Sequence, residues 1–164
     1  MITTSEVKFD KDLKNKKIIV TAHFNAKPES VWLAWTKKET LDTWWAPKPW
    51  RAETKKLDFQ EGGSWQYAMI GPENQRQNGK LEYNKINAPK SFEATDSFTD
   101  AKGVVDKSFP QVLWKTEFKS SGTGTDVKIT LTPVTEGALE KNLEMGFEDG
   151  FKMALGNLEE YLER

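Results

Sequence analysis

Between Trp50 and Thr132 the chain alternates apolar and polar residues with a period of two, and it ends on one long amphipathic stretch. Strict alternation marks half-buried strands, while apolar residues at helical spacing mark a helix with one buried face. The turns between the alternating runs are short, so the strands form an antiparallel meander. The expected strands are Trp50 to Phe59, Ser64 to Ile70, Gly79 to Ile86, Ser91 to Phe98, Gln111 to Phe118 and Thr125 to Thr132. An earlier run, Lys16 to Asn25, alternates in the same way and adds a seventh. Pro133 ends the last strand, and Gly137 to Leu162 reads as one helix with Leu139, Leu143, Phe147, Phe151, Leu158 and Leu162 along its apolar stripe. A curved sheet cannot bury its concave face on itself, and this helix is the one element long enough to cover it. The expected architecture is therefore α+β: a curved seven-stranded antiparallel sheet wrapped around a long C-terminal helix.

Two short helices are expected after the first strand. Pro28 and Glu29 suit the first turn of one, whose apolar face carries Val31, Trp32 and Trp35. Thr36 and Glu39 have the spacing of a capping box, which would start the second helix and carry it through Leu41 and Trp44 to the stop before Pro47. Residues 1–15 read as a polar N-terminal arm, with Val7, Phe9 and Leu13 able to dock as a short edge segment. Residues 16–164 read as a single domain, since no repeat or linker divides them.

Composition excludes several functions. The chain has no cysteine and one histidine, His23, so it offers no disulfide, thiolate nucleophile, Cys-ligated zinc or multi-His metal site. A net charge of -1 lacks the basic excess of a nucleic-acid binder. No apolar run is long enough to span a membrane, and a cytoplasmic location is expected. What stands out is seven tryptophans and nine phenylalanines in a chain of mean hydropathy -0.70. Those rings either fill a core or line a pocket.

The segments Pro28 to Thr36, Glu39 to Pro47, Gly62-Gly63-Ser64-Trp65 with Tyr67 and Met69, Thr95 to Asp100, and Gly146 to Leu162 together resemble one family. It is the activator of heat-shock protein 90 ATPase homologue-like family. This lies within the SRPBCC superfamily of START, polyketide-cyclase and Bet v allergen-like helix-grip proteins. The resemblance runs from about Lys16 onward, with Lys38 and Phe151 departing from the family pattern. It implies the helix-grip fold and an apolar cavity between the sheet and the long helix. Fold alone does not fix function.

Candidate ligand-binding residues are Trp44, Trp45, Trp65, Tyr67, Met69, Asp96, Phe98, Trp114, Phe147, Gly150 and Phe151. Alternation puts Asp96 on the face of Phe92, Ala94 and Phe98, where it would be a polar anchor or general base, or else the partner of a salt bridge or a residue turned outward by a strand bulge. Gly146 and Gly150 fall inside the helical stripe, which needs either close helix–sheet approach or space for a ligand. His23 lies on the opposite strand face from Phe24, and no catalytic residue is assigned. Gly62-Gly63 lacks phosphate-loop spacing and reads as a hairpin turn.

The leading expectation is a binding protein for a small apolar, aromatic or lipid-like ligand, without metal or cofactor. The rivals are a co-chaperone-like domain with a chaperone partner and a cyclase or hydrolase using cavity carboxylates. A monomer or homodimer is expected.

Overall fold

The structure is a computed structural model that describes residues 7–163. Residues 1–6 of the expected arm lie outside that range. The described residues form eight strands in one antiparallel sheet of order β1-β2-β8-β7-β6-β5-β4-β3. The strands are β1 (Lys8–Asp12), β2 (Lys17–Phe24), β3 (Arg51–Leu57), β4 (Ser64–Ile70), β5 (Arg76–Asn87), β6 (Ser91–Phe98), β7 (Val112–Ser121) and β8 (Gly124–Pro133). The helices are α1 (Pro28–Thr36) and α2 (Lys38–Trp44) after β2, then α3 (Ala138–Glu144) and α4 (Phe147–Leu162). The curved sheet and the C-terminal helix that it embraces are those expected from the sequence.

The strand count exceeds expectation by one. Lys8–Asp12 pairs with β2, Phe9 opposite Val20 and Asp12 opposite Lys17, so the docking segment is a full edge strand. Sequence periodicity is weak there because charges flank its one large apolar residue, Phe9.

The register explains the core. Ile18, Leu131, Trp114, Ala94 and Tyr83 are direct cross-strand partners across five strands. Partners in register share a face. All five are buried, and so are Val20, Ile129 and Thr116 of a neighbouring row. On α4, Phe151, Ala154, Leu155 and Leu158 face this layer and are buried. Helical periodicity therefore meets strand periodicity along one interface.

Two local expectations are corrected. Thr36 does not cap α2. Lys37 occupies that position, with no side-chain cap, and the Thr36 hydroxyl donates instead to the Trp32 carbonyl at 3.0 Å. Thr40 holds the junction by donating to the Lys37 carbonyl at 2.7 Å, and the Trp44 indole donates to the Ala34 carbonyl at 2.9 Å. The terminal helix is also not continuous from Gly137. Gly146 adopts φ +86° and separates α3 from α4. A left-handed residue cannot propagate a right-handed helix, and glycine takes that conformation without steric cost.

Candidate functional site

The short α2 helix ends at Trp44, and the chain turns through Trp45, Ala46 and Pro47 before β3. The turn is held from above. Asn157 of α4 donates to the carbonyls of Ala46 at 3.0 Å and Trp44 at 3.4 Å. Trp45 and Pro47 thereby stand against the N-terminal half of α4. Pro47 lies 3.7 Å from where a Cβ on Gly150 would be.

Between this turn, α4 and the sheet lies a cavity of about 200 Å³. Its aromatic wall is Trp45, Tyr67, Phe98, Trp114, Phe147 and Phe151. Several of the rings meet edge to face, Trp114 and Phe151 at 5.3 Å between centroids and Trp45 and Phe151 at 6.1 Å, while Phe147 and Phe151 stack at 5.4 Å. Edge-to-face geometry sets the positive edge of one ring against the negative face of the next. Met69, Gly150 and Asp96 complete the expected part of the wall.

Trp44 and Trp65 lie outside it. Trp44 packs on Trp35 at 4.7 Å and spends its indole N–H on Ala34, so it is a strut between α1 and α2. Trp65 stacks on Tyr67 at 4.2 Å, with its indole donating to the Thr54 hydroxyl at 3.0 Å. Both form a layer behind the wall. Alternation gave the face of Trp65 but carries no information on depth, and Trp44 sits on a helix, where alternation does not apply.

Asp96 reaches the cavity through the register. Leu57, Trp65, Leu81, Asp96 and Val112 are successive cross-strand partners, so the carboxylate sits in an otherwise apolar row. Tyr67 pairs with Gly79, where a Cβ would fall 2.7 Å from the phenol oxygen. The missing side chain lets the Tyr67 ring lean across β5, and its hydroxyl donates to Asp96 Oδ1 at 3.3 Å. Burial raises the Asp96 carboxyl from 3.8 to about 7, and the Tyr67 hydrogen bond only partly opposes this. Tyr67 is held well above its ordinary value, chiefly by burial and next by the nearby Asp96 charge. The two groups form a neutral or singly charged pair near neutral pH.

Reading the sequence missed Gln77, Asn78, Gly79, Ser97, Asn142 and Met145 of the lining. Gly79 did carry a signal, since glycine inside a strand marks close approach. Gln77 and Asn78 fell in the expected loop from Gly71 to Asn78, because β5 begins earlier, at Arg76. Gly146 also borders the cavity, as the break that turns α3 away.

His23 is elsewhere. Its Nδ1 lies 2.6 Å from Asp126 Oδ1, on an exposed part of the β2–β8 pair. Among the described residues, no cluster of three or more His, Asp or Glu is placed to hold a metal ion, and no helix is long and apolar enough to cross a membrane.

An antiparallel sheet curved around a terminal helix, with a cavity between them, is the architecture of the SRPBCC helix-grip proteins. Comparison with known proteins makes the assignment narrower. The chain belongs to the family described as Activator of Hsp90 ATPase homolog 1-like protein, which matches residues 25–163. It is similar to a solved protein of Arthrobacter aurescens, with 28% identity, a TM-score of 0.90 and coverage of 96% of this chain and 92% of that one. A Staphylococcus epidermidis protein shares 30% identity with a TM-score of 0.81, covering 96% of this chain and 93% of that one. A Mycobacterium smegmatis protein has 25% identity and a TM-score of 0.87, covering 95% and 96%. No curated protein gives a significant match.

Proposed function

We propose that the protein binds a small apolar or aromatic ligand in the cavity between the sheet and α4. The observation that carries this reading is a cavity of about 200 Å³ with six aromatic side chains in its wall and a single carboxylate. A packed core would close such a space, because cavities cost stability in proportion to their volume. An engineered apolar cavity of roughly 150 Å³ holds benzene, so this space suits one ring with a short arm. Burial of the ligand would contribute ~25 cal/mol per Å² of apolar area.

The test is thermal unfolding against a panel of small aromatics, fatty acids and apolar amines. Ligand at about 100 times Kd adds ~2.7 kcal/mol, a rise in Tm of roughly 5 to 11 °C. Gly150→Leu would project a side chain into the cavity and should remove that rise while the variant stays folded. A shift that survives in Gly150→Leu would place the ligand elsewhere.

A second reading, protein docking of the co-chaperone type, draws on the family description and on the loop after β6. There Val104 is 62% exposed and Phe109 42% exposed. Replacing both with serine would abolish stimulation of a heat-shock protein 90 ATPase if that loop docks. Absence of any stimulation by the intact protein would end this reading.

A further inference from the structure

We propose that the ligand of this cavity is an organic cation, a protonated amine on a single ring or short alkyl chain, with the Asp96 carboxylate as counter-ion. This rests on the binding reading above and narrows it to one ligand class.

Asp96 shares the cavity wall with few polar groups. Besides Tyr67 of β4, the polar or backbone-open neighbours on the same wall include Gln77, Asn78 and Gly79 of β5 and Asn142 of α3, with Trp114 of β7 among the rings. The α4 residues on the wall are Phe147, Gly150 and Phe151. No Lys, Arg or His is among the lining residues, and Tyr67 is the one other titratable group there. The carboxylate's one hydrogen bond among the described residues comes from the Tyr67 hydroxyl at 3.3 Å, long for a bond to a charged acceptor. A carboxylate withdrawn from water is costly unless it is paired. Asp96 lines the cavity, and among the described residues no Lys, Arg or His pairs with it.

The wall suits a cation. Ring faces carry negative quadrupole charge, and Trp is the strongest partner for an ammonium within about 6 Å. Trp45 and Trp114 stand with centroids 5.7 Å apart on the wall that also holds Asp96. The helix dipoles do not reverse this preference. α3 ends and α4 begins at the same wall, so a negative end opposes a positive one, and Glu148 and Asp149 occupy the first turn of α4. An anionic ligand such as a fatty acid would confront Asp96 with no cation to offset it.

Linkage gives a further consequence. With the empty-site carboxyl at about 7, an amine binding the ionised form must displace a proton at lower pH. Amine affinity should therefore fall by up to about tenfold per pH unit below that point and level off above it.

The experiment compares phenethylamine, 2-phenylethanol and 3-phenylpropanoate at pH 8, by calorimetry and by NMR shifts of the indole protons. These probes share one ring and nearly one length and differ in charge. The amine is expected to bind about ten- to a hundredfold more tightly than the alcohol, with the propanoate weakest. Asp96→Asn should abolish the preference, so that within that variant the amine binds no more tightly than the alcohol. Tyr67→Phe, which keeps the carboxylate, should retain the amine preference, and the comparison in the unaltered protein stands even if one variant fails to fold. Equal or tighter binding of the alcohol or propanoate would overturn the cation assignment and leave the cavity reading intact. No binding by any of the three at millimolar concentration would overturn both.

Discussion

Asp96 carries the largest electrostatic cost on the wall, and that cost has a sign. Its folded value, about 7, lies above the ordinary 3.8. Below about pH 4 the group is neutral folded or unfolded and contributes no penalty. Between about 4 and 7 the folded chain holds a proton that the unfolded chain has released, so stability falls as pH rises. Above 7 the penalty is constant. Asp96→Asn should remove that slope and raise stability at pH 8 by roughly 2 kcal/mol, allowing for water in the open cavity. Urea unfolding of both proteins at pH 5 and pH 8 checks this. A difference between them that does not grow with pH would mean that the carboxylate is not desolvated. Gly79 tests the same pair sterically. Gly79→Ala places a methyl group 2.7 Å from the Tyr67 ring tip, and the displaced phenol would leave Asp96. The expected cost is about 1–3 kcal/mol, smaller when Tyr67 is already replaced by leucine. Asp96 itself was legible in the sequence because strand parity is rigid: residues 92, 94 and 96 must share a face. Its hydrogen bond was not, since Tyr67 lies two strands away and only register brings them together.

At the scale of elements, the strands were legible and the terminal helix was only partly so. Period two is clear in β2 and in β4 to β8, which carry buried residues at alternating positions, and weak in β1, where none of the five residues is buried. Gly146 and Gly150 looked equivalent, both small residues in one apolar stripe, and they prove to be opposites. Gly146 has φ +86° and ends a helix, while Gly150 is inside α4. Composition cannot separate a glycine chosen for its backbone from one chosen for its size. Substitution can. Gly146→Ala forces an L residue into the left-handed region and should cost about 1 kcal/mol. Gly150→Ala meets only Pro47 at 3.7 Å and should gain up to about 1 kcal/mol from helix propensity. Thermal melts of the two variants should therefore move in opposite directions. Movement in the same direction would refute the distinction. The α1–α2 junction shows a related limit. Thr36 and Glu39 have capping-box spacing, yet Thr36 is buried on the α1 side, where its hydroxyl returns to Trp32. Tertiary burial overrode the local motif.

Among the described residues the sheet has two edges, β1 and β3, and no backbone hydrogen bond joins either edge to α4. The N-terminal edge nevertheless reaches α4 through side chains. Phe9 meets Phe147 at 6.1 Å and Phe151 at 6.5 Å, edge to face, and Lys152 lies over the Phe9 ring at 5.4 Å. Lys11 pairs with Glu148 at 2.6 Å, and Glu148 also accepts from Lys152 at 3.0 Å. Those lysines hold the Glu148 carboxyl below its ordinary value, but the group is nearly at the surface, so the pair orients more than it stabilises. The apolar contact is the stronger tie. Phe147 and Phe151 are wall residues of the cavity, so β1 braces that wall from outside. Phe9→Ala should cost about 1–2 kcal/mol, less than a fully buried phenylalanine because Phe9 is only partly buried. The second effect is specific to this arrangement. With its brace gone, the start of α4 should open more often, and a bound ligand should leave several-fold faster with a smaller change in its association rate. Stopped-flow dissociation of a fluorescent aromatic probe, run beside a urea melt, separates the two. A stability loss with unchanged dissociation would confine β1 to the sheet. Faster dissociation would make the N-terminal strand part of the cavity's control, a role hidden in the sequence by the distance between Phe9 and Phe147.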